Sequence, residues 1–124
     1  MARIRTIKPE LFTSRTVSTY SDALFRTFTG LFCYVDDAGR GEDDAELIKA
    51  DIAPRIKAKT PRLIATHLDA LAAGDDPPLC RYTVDGVPYL HLVNFVHGPK
   101  HQRINRPTKS KLPPCPLHEP ERLF

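Results

Sequence analysis

Apolar residues recur at helical spacing from about Ser21 to Val35. Leu24, Phe28, Leu31 and Val35 fall on one face, and Phe25 and Phe32 widen the stripe. Ser18 and Ser21 are candidate N-caps. The run Asp36-Asp37-Ala38-Gly39-Arg40-Gly41 reads as a turn, because Gly39 or Gly41 can take positive φ past a helix end. A second helix is expected to begin at Asp43 or Asp44, with Asp43 and Glu46 at capping-box spacing. Ala45, Ile48 and Ile52 mark its buried side, and Pro54 ends it. After the basic linker Arg55–Lys59, a third helix is expected from Thr60 as N-cap and Pro61 at its first position. Ile64, Leu68 and Leu71 form its core stripe, and Gly74 closes it.

The periodicity then changes. Leu79–Val84 and Val87–Phe95 read as two strands joined by Asp85-Gly86, a pair suited to the positive φ angles of a type I′ turn. A two-residue loop sets the register: Val84 opposite Val87, Tyr82 opposite Tyr89 and Cys80 opposite His91 on one face, with Leu79 and Leu92 on the other. Pro88 cannot donate to a ladder and is expected on a free edge. A short extended segment is expected at 3–8, stopped by Pro9. Three helices followed by a hairpin predict an α+β winged helix-turn-helix over residues 1–96. A basic, Pro-rich extension is expected over 97–124.

A chain of 124 residues supports one modest core. Five of its 12 prolines lie at or beyond Pro107, where extended or mobile chain is expected. No apolar stretch approaches a membrane span and no signal core opens the chain, so a cytoplasmic location in a bacterial host is expected. Cys33, Cys80 and Cys115 are odd in number and widely spaced, which suits reduced thiols.

The net charge of +3 conceals segregation. Residues 36–51 hold seven acids against Arg40 and Lys49. Residues 55–62 and 97–112 hold no acid, and Arg3, Arg5, Lys8 and Arg15 stand near the start against Glu10. Basic blocks suit a polyanion, since each phosphate contact releases counterions. The second and third helices make a helix-turn-helix candidate whose second helix exposes Arg62, Thr66 and Asp69. Candidate DNA contacts are Arg55, Lys57, Lys59, Arg62 and Thr66, together with Lys100, Gln102, Arg103, Asn105, Arg106, Lys109 and Lys111 from the extension. Phosphate positioning should outweigh base readout. The alternative for the extension is a structural tail that packs Ile104 on the domain.

Other chemistry is weakly signalled. His97, His101, Cys115 and His118 have zinc-ligand types, but their spacing matches no finger, and no metal or cofactor is expected. No phosphate loop, GxSxG or HExxH occurs, so the chain does not read as an enzyme. Asp36-Asp37 and Asp43-Asp44 read as turn and cap residues before they read as a Mg²⁺ site. A protein-binding module without DNA is the alternative. It would use the acidic 36–51 segment and the third helix, with Tyr82 and Tyr89 as anchors.

Several stretches occur in the order found in a known family: RIRTIKPELFTS at 3–14, GLFCYVDDAGRG at 30–41, LIKA at 47–50, RYTVDGVPYLHL at 81–92 and KHQRINRP at 100–107. With these the chain resembles small actinobacteriophage and prophage winged-helix proteins related to the DnaD-type replisome-organiser N-terminal domain. That resemblance implies a role in phage replication initiation or helicase loading. It also implies contacts with DNA, with host replication proteins or with a second copy as a homodimer. The chain departs from the family at Gly74-Asp75-Asp76-Pro77-Pro78, where an apolar residue usually follows the glycine.

Overall fold

The computed structural model describes residues 4–95, 102, 104 and 107–117. Residues 4–8 carry no regular secondary structure, and Pro9 leads into a short helix, α1 (Glu10–Thr13), followed by a 3₁₀ turn at Val17–Thr19. Neither was expected from the pattern, because both are too short for periodicity to register.

The main helices follow their caps. Helix α2 (Asp22–Tyr34) starts at Ser21, whose Oγ accepts from the Leu24 amide at 3.1 Å. Its Phe28, Leu31 and Phe32, with Val35 just beyond it, are buried. Helix α3 (Ala45–Ile52) is capped by Asp44, which accepts from the amides of Glu46 and Leu47. Asp43 does not cap it; its carboxylate is bound to Arg81 instead. Helix α4 (Pro61–Leu71) begins on the expected Thr60–Pro61 pair and buries Ile64, Leu68 and Leu71.

The sheet holds one more strand than the pattern predicts. Strands β2 (Leu79–Val84) and β3 (Val87–Leu92) pair in the expected register, closed by Asp85 at φ 52° and Gly86 at φ 78°. Arg40 and Gly41, expected in a turn, lie in strand β1 (Arg40–Glu42), which pairs antiparallel with β3. The turn itself is only Asp36–Gly39. Asp36 Oδ1 accepts from the Ala38 and Arg40 amides, and Gly39 takes φ 84° against the Phe95 ring.

The strand order β1-β3-β2 corrects the expectation for Pro88, which sits on the central strand and not on an edge. It is tolerated because β1 pairing ends at Glu42. There the Pro88 carbonyl accepts from the Asp43 amide, and no further ladder bond requires an N–H.

The architecture is α+β, with four α-helices and a three-stranded antiparallel sheet among the described residues. Leu79, Leu90 and Leu92 point from the sheet into a core shared with α2, α3, α4 and Phe95. The opposite face carries Cys80, Tyr82, Tyr89 and His91. Residues 107–117, which form no helix or strand, reach it through Pro113 and Cys115.

Candidate nucleic-acid interface

The α3–α4 connection presents its cations unequally. Arg55 and Lys57 are exposed, as are Arg62 and Thr66 on α4. The Thr66 hydroxyl donates to the Arg62 carbonyl at 3.1 Å, a bond within the helix. Lys59, expected among the phosphate contacts, is only 4% exposed and donates through Nζ to the Ala23 carbonyl at 2.8 Å. Burial, and then the nearby charge of Arg26, lower its pKa. Its role is to fasten the linker to α2. A buried ammonium with a carbonyl partner has no free path to a phosphate. Arg26 itself is exposed and joins this side of the molecule.

Beside Lys59, Thr27 Oγ1 and His67 Nδ1 meet at 2.7 Å between α2 and α4. The single acid on α4, Asp69, is not bare. Arg81 of β2 reaches it through Nη1, and reaches Asp43 through Nε and Nη2. One guanidinium thus joins the hairpin, the start of α3 and the outer side of α4.

The C-terminal candidates divide differently. Lys100, Arg103, Asn105 and Arg106 lie outside the described residues. Gln102 is buried: its Oε1 accepts from the Thr6 amide and hydroxyl, and its Nε2 donates to the Thr6 carbonyl at 2.8 Å. Its side-chain amide therefore clamps the N-terminal segment and is not free to read a base. Ile104 packs against the core, as the structural-tail alternative expects.

Lys109 and Lys111 are exposed, but their backbone is docked. The Thr108 amide donates to Asp37, Ser110 Oγ to Asp36, Arg40 Nη1 to the Leu112 carbonyl, and the Tyr82 hydroxyl to the Pro113 carbonyl. With Tyr34, Arg40 and Glu42 the two lysines line a hollow of about 560 Å³ at the β1 edge. That edge adjoins the C-terminal end of α2, whereas Lys59 grips Ala23 near its start. From Ala23 to the end of the helix at Tyr34 is a rise of about 17 Å. The linker cations and the tail lysines are two groups, not one.

Sequence reasoning missed the part played by Arg5. It stands in the N-terminal basic block, yet its guanidinium donates to the Phe32 and Val35 carbonyls at 2.8 and 2.9 Å. It also pairs with Asp37 at 2.9 Å and lies over the Phe95 ring. It thus satisfies carbonyls at the end of α2. Nothing in the local sequence separates it from Arg3 or Lys8.

The acidic segment is mostly structural as well. Asp36 and Asp37 hold the turn and the tail, Asp43 meets Arg81, and Asp44 caps α3. Around Tyr34, whose hydroxyl donates to the Glu42 carbonyl, burial and then the carboxylates of Glu42, Asp44, Asp51 and Asp43 raise the phenol pKa. Tyr82 and Tyr89 are stacked and half-buried, and the Tyr82 hydroxyl donates to the Pro113 carbonyl.

Among the described residues no set of three or more His, Cys, Asp or Glu side chains is placed to hold a metal ion. His97, His101 and His118 lie outside them. No helix among the described residues is long and apolar enough to cross a membrane. Comparison with family models, curated proteins and solved structures returns no match.

Proposed function

We propose that the chain is a winged-helix DNA-binding protein serving phage replication initiation, and that it grips the duplex backbone through the α3–α4 connection. The order α2-β1-α3-α4-β2-β3, with strands arranged β1-β3-β2, fits a winged helix in which α3 and α4 are the helix-turn-helix pair and β2–β3 the wing. The replication role rests on the family resemblance of the five stretches quoted above, as do host replication proteins or a second copy as partners.

One observation carries the binding surface. From Ala53 to Leu68 no acid interrupts Arg55, Lys57 and Arg62, all exposed, and the first acid beyond them, Asp69, is matched by Arg81. Phosphate contacts from such a surface are non-specific and salt-sensitive.

The test is fluorescence anisotropy of a labelled duplex across salt concentrations. Affinity should fall steeply with salt, and replacing Arg55, Lys57 and Arg62 together by Ala should flatten the log–log slope by about 2–3. Lys59→Met should leave the slope unchanged, because its ammonium is already bound to Ala23. Salt-independent binding, or a slope untouched by the triple substitution, overturns the reading.

A protein partner without DNA is favoured by a different feature. Leu47, 46% exposed, borders a hollow of about 290 Å³ with Tyr34, Ala50 and Asp51 on the acidic side of α3. Failure to bind heparin or duplex at low salt favours that reading.

A further inference from the structure

Cys80 lies on β2, on the outer face of the sheet. Cys115 lies near the end of the described C-terminal segment, 35 residues further along the chain. Their Sγ atoms are 3.4 Å apart, and the residues are 7% and 0% exposed. The approach is held by two anchors just before Cys115. Arg40 binds the Leu112 carbonyl at 3.0 Å and Tyr82 binds the Pro113 carbonyl at 2.7 Å. These anchors belong to other residues, so the thiols are brought together by the docking of the whole segment. A disulfide needs the sulfurs at about 2.05 Å, a closure of about 1.4 Å.

We propose that Cys80 and Cys115 are an oxidant-responsive dithiol, which a peroxide converts into a disulfide that fastens the C-terminal segment to the outer face of the sheet. The chemistry balances without a bound cofactor. One thiolate attacks a peroxide oxygen; the O–O bond breaks, a sulfenic acid forms, and hydroxide takes a proton to leave as water. The second thiolate then attacks the sulfenic sulfur, the S–S bond forms and the S–OH oxygen leaves as a second water. Two thiols are oxidised and one peroxide is reduced.

Burial governs the rate. Desolvation, with Cys115 alongside, pushes the Cys80 thiol up to about 12, so little thiolate exists while the segment is docked. Residues 107–115 contain no helix or strand, and transient lifting of this segment admits the peroxide. Redocking returns the oxidised sulfur to its partner. Cys33, exposed on α2, is an internal control.

The proposal is independent of nucleic-acid binding, since its readout is covalent. The reduced 124-residue chain is treated with hydrogen peroxide, its remaining thiols are alkylated, and the products are read by intact mass and peptide mapping. The expected product has lost two hydrogen atoms, carries one alkyl group, on Cys33, and yields a linked peptide pair containing residues 80 and 115. Its melting midpoint should rise by about 10 °C. Cys33→Ser should give the same linked pair, and Cys115→Ser should give none. Three alkylated thiols, sulfinic acids at 80 or 115 without linkage, or only dimers joined through Cys33 overturn it.

Discussion

Lys57 and Lys59 stand two residues apart in one linker, yet one ammonium faces water and the other is bound to the Ala23 carbonyl. Arg5 and Arg55 show the same contrast, one spread over the end of α2 and the other exposed. A basic residue's type states what it can donate to; burial decides whether the acceptor is the protein or a ligand. His67 makes this measurable. It is buried against Thr27, and burial, then Lys59, lowers its pKa below the usual 6.5. The neutral ring is therefore the folded form, and on acidification the unfolded chain takes up this proton first. Stability from His67 is intact above about pH 6.5 and is lost as pH falls toward the folded pKa, by up to about 1.4 kcal/mol per pH unit. Urea denaturation of the natural chain should show this decline setting in as pH falls below about 6.5. His67→Gln should be less stable at pH 8 by about 1 kcal/mol and should lack that part of the acid decline. An identical pH profile for the two proteins would assign the decline to other groups.

At the scale of elements, legibility followed from how local each determinant is. The caps at Ser21 and Thr60 and the Asp85-Gly86 turn act within four residues, and each reads directly from sequence. The turn then fixed every pairing from Val84–Val87 to Leu79–Leu92. Strand β1 was not legible. Arg-Gly-Glu has no apolar alternation, and it becomes a strand only because β3 offers a free edge and Asp36 holds the Arg40 backbone. The same unseen strand put Pro88 at the centre of the sheet. Contacts between elements were equally hidden. Gly30, in the middle of α2, costs helix propensity of about 1 kcal/mol relative to Ala. Its place is explained by α3: a Cβ there would meet Ile52 Cδ1 at 2.8 Å and Ile52 Cβ at 3.1 Å. The latter atom cannot swing aside without moving the α3 backbone. Gly30→Ala should therefore destabilise by about 1–2 kcal/mol in spite of the better propensity, read as a lower urea midpoint. A gain in stability would show that the α2–α3 contact is soft.

For the molecule as a whole, the deciding feature is that the sheet has two faces and only one is covered by helices. Leu79, Leu90 and Leu92 are buried by the helical side; Cys80 and His91 are buried although they face the other way. Residues 107–117 supply that second cover. Composition obscured this, because prolines and lysines suggest solvated chain, whereas the contacts that matter use backbone carbonyls, which every sequence has. The candidate site was legible to the same limited extent. Arg55, Lys57 and Arg62 of the acid-free block stand exposed, while Lys59 and Gln102 were drawn into the structure by partners distant in sequence. The two roles of the tail can be separated. Lys109→Ala with Lys111→Ala removes its described cations and keeps its backbone, so stability should change by less than about 0.5 kcal/mol. If duplex contacts come from the linker alone, the salt slope stays within about one of the natural value. Truncation after Pro107 removes the cover itself. It takes away the Leu112 carbonyl that Arg40 binds, the Pro113 carbonyl that Tyr82 binds, and the fully buried Cys115. Left with Cys80, Tyr82, Tyr89 and His91 uncovered and its polar pairing weakened, that protein should melt at least about 10 °C lower, with hydrophobic-dye binding at temperatures where the double-alanine protein shows none. Equal melting of the truncated and natural chains would mean that the helical side alone sustains the sheet.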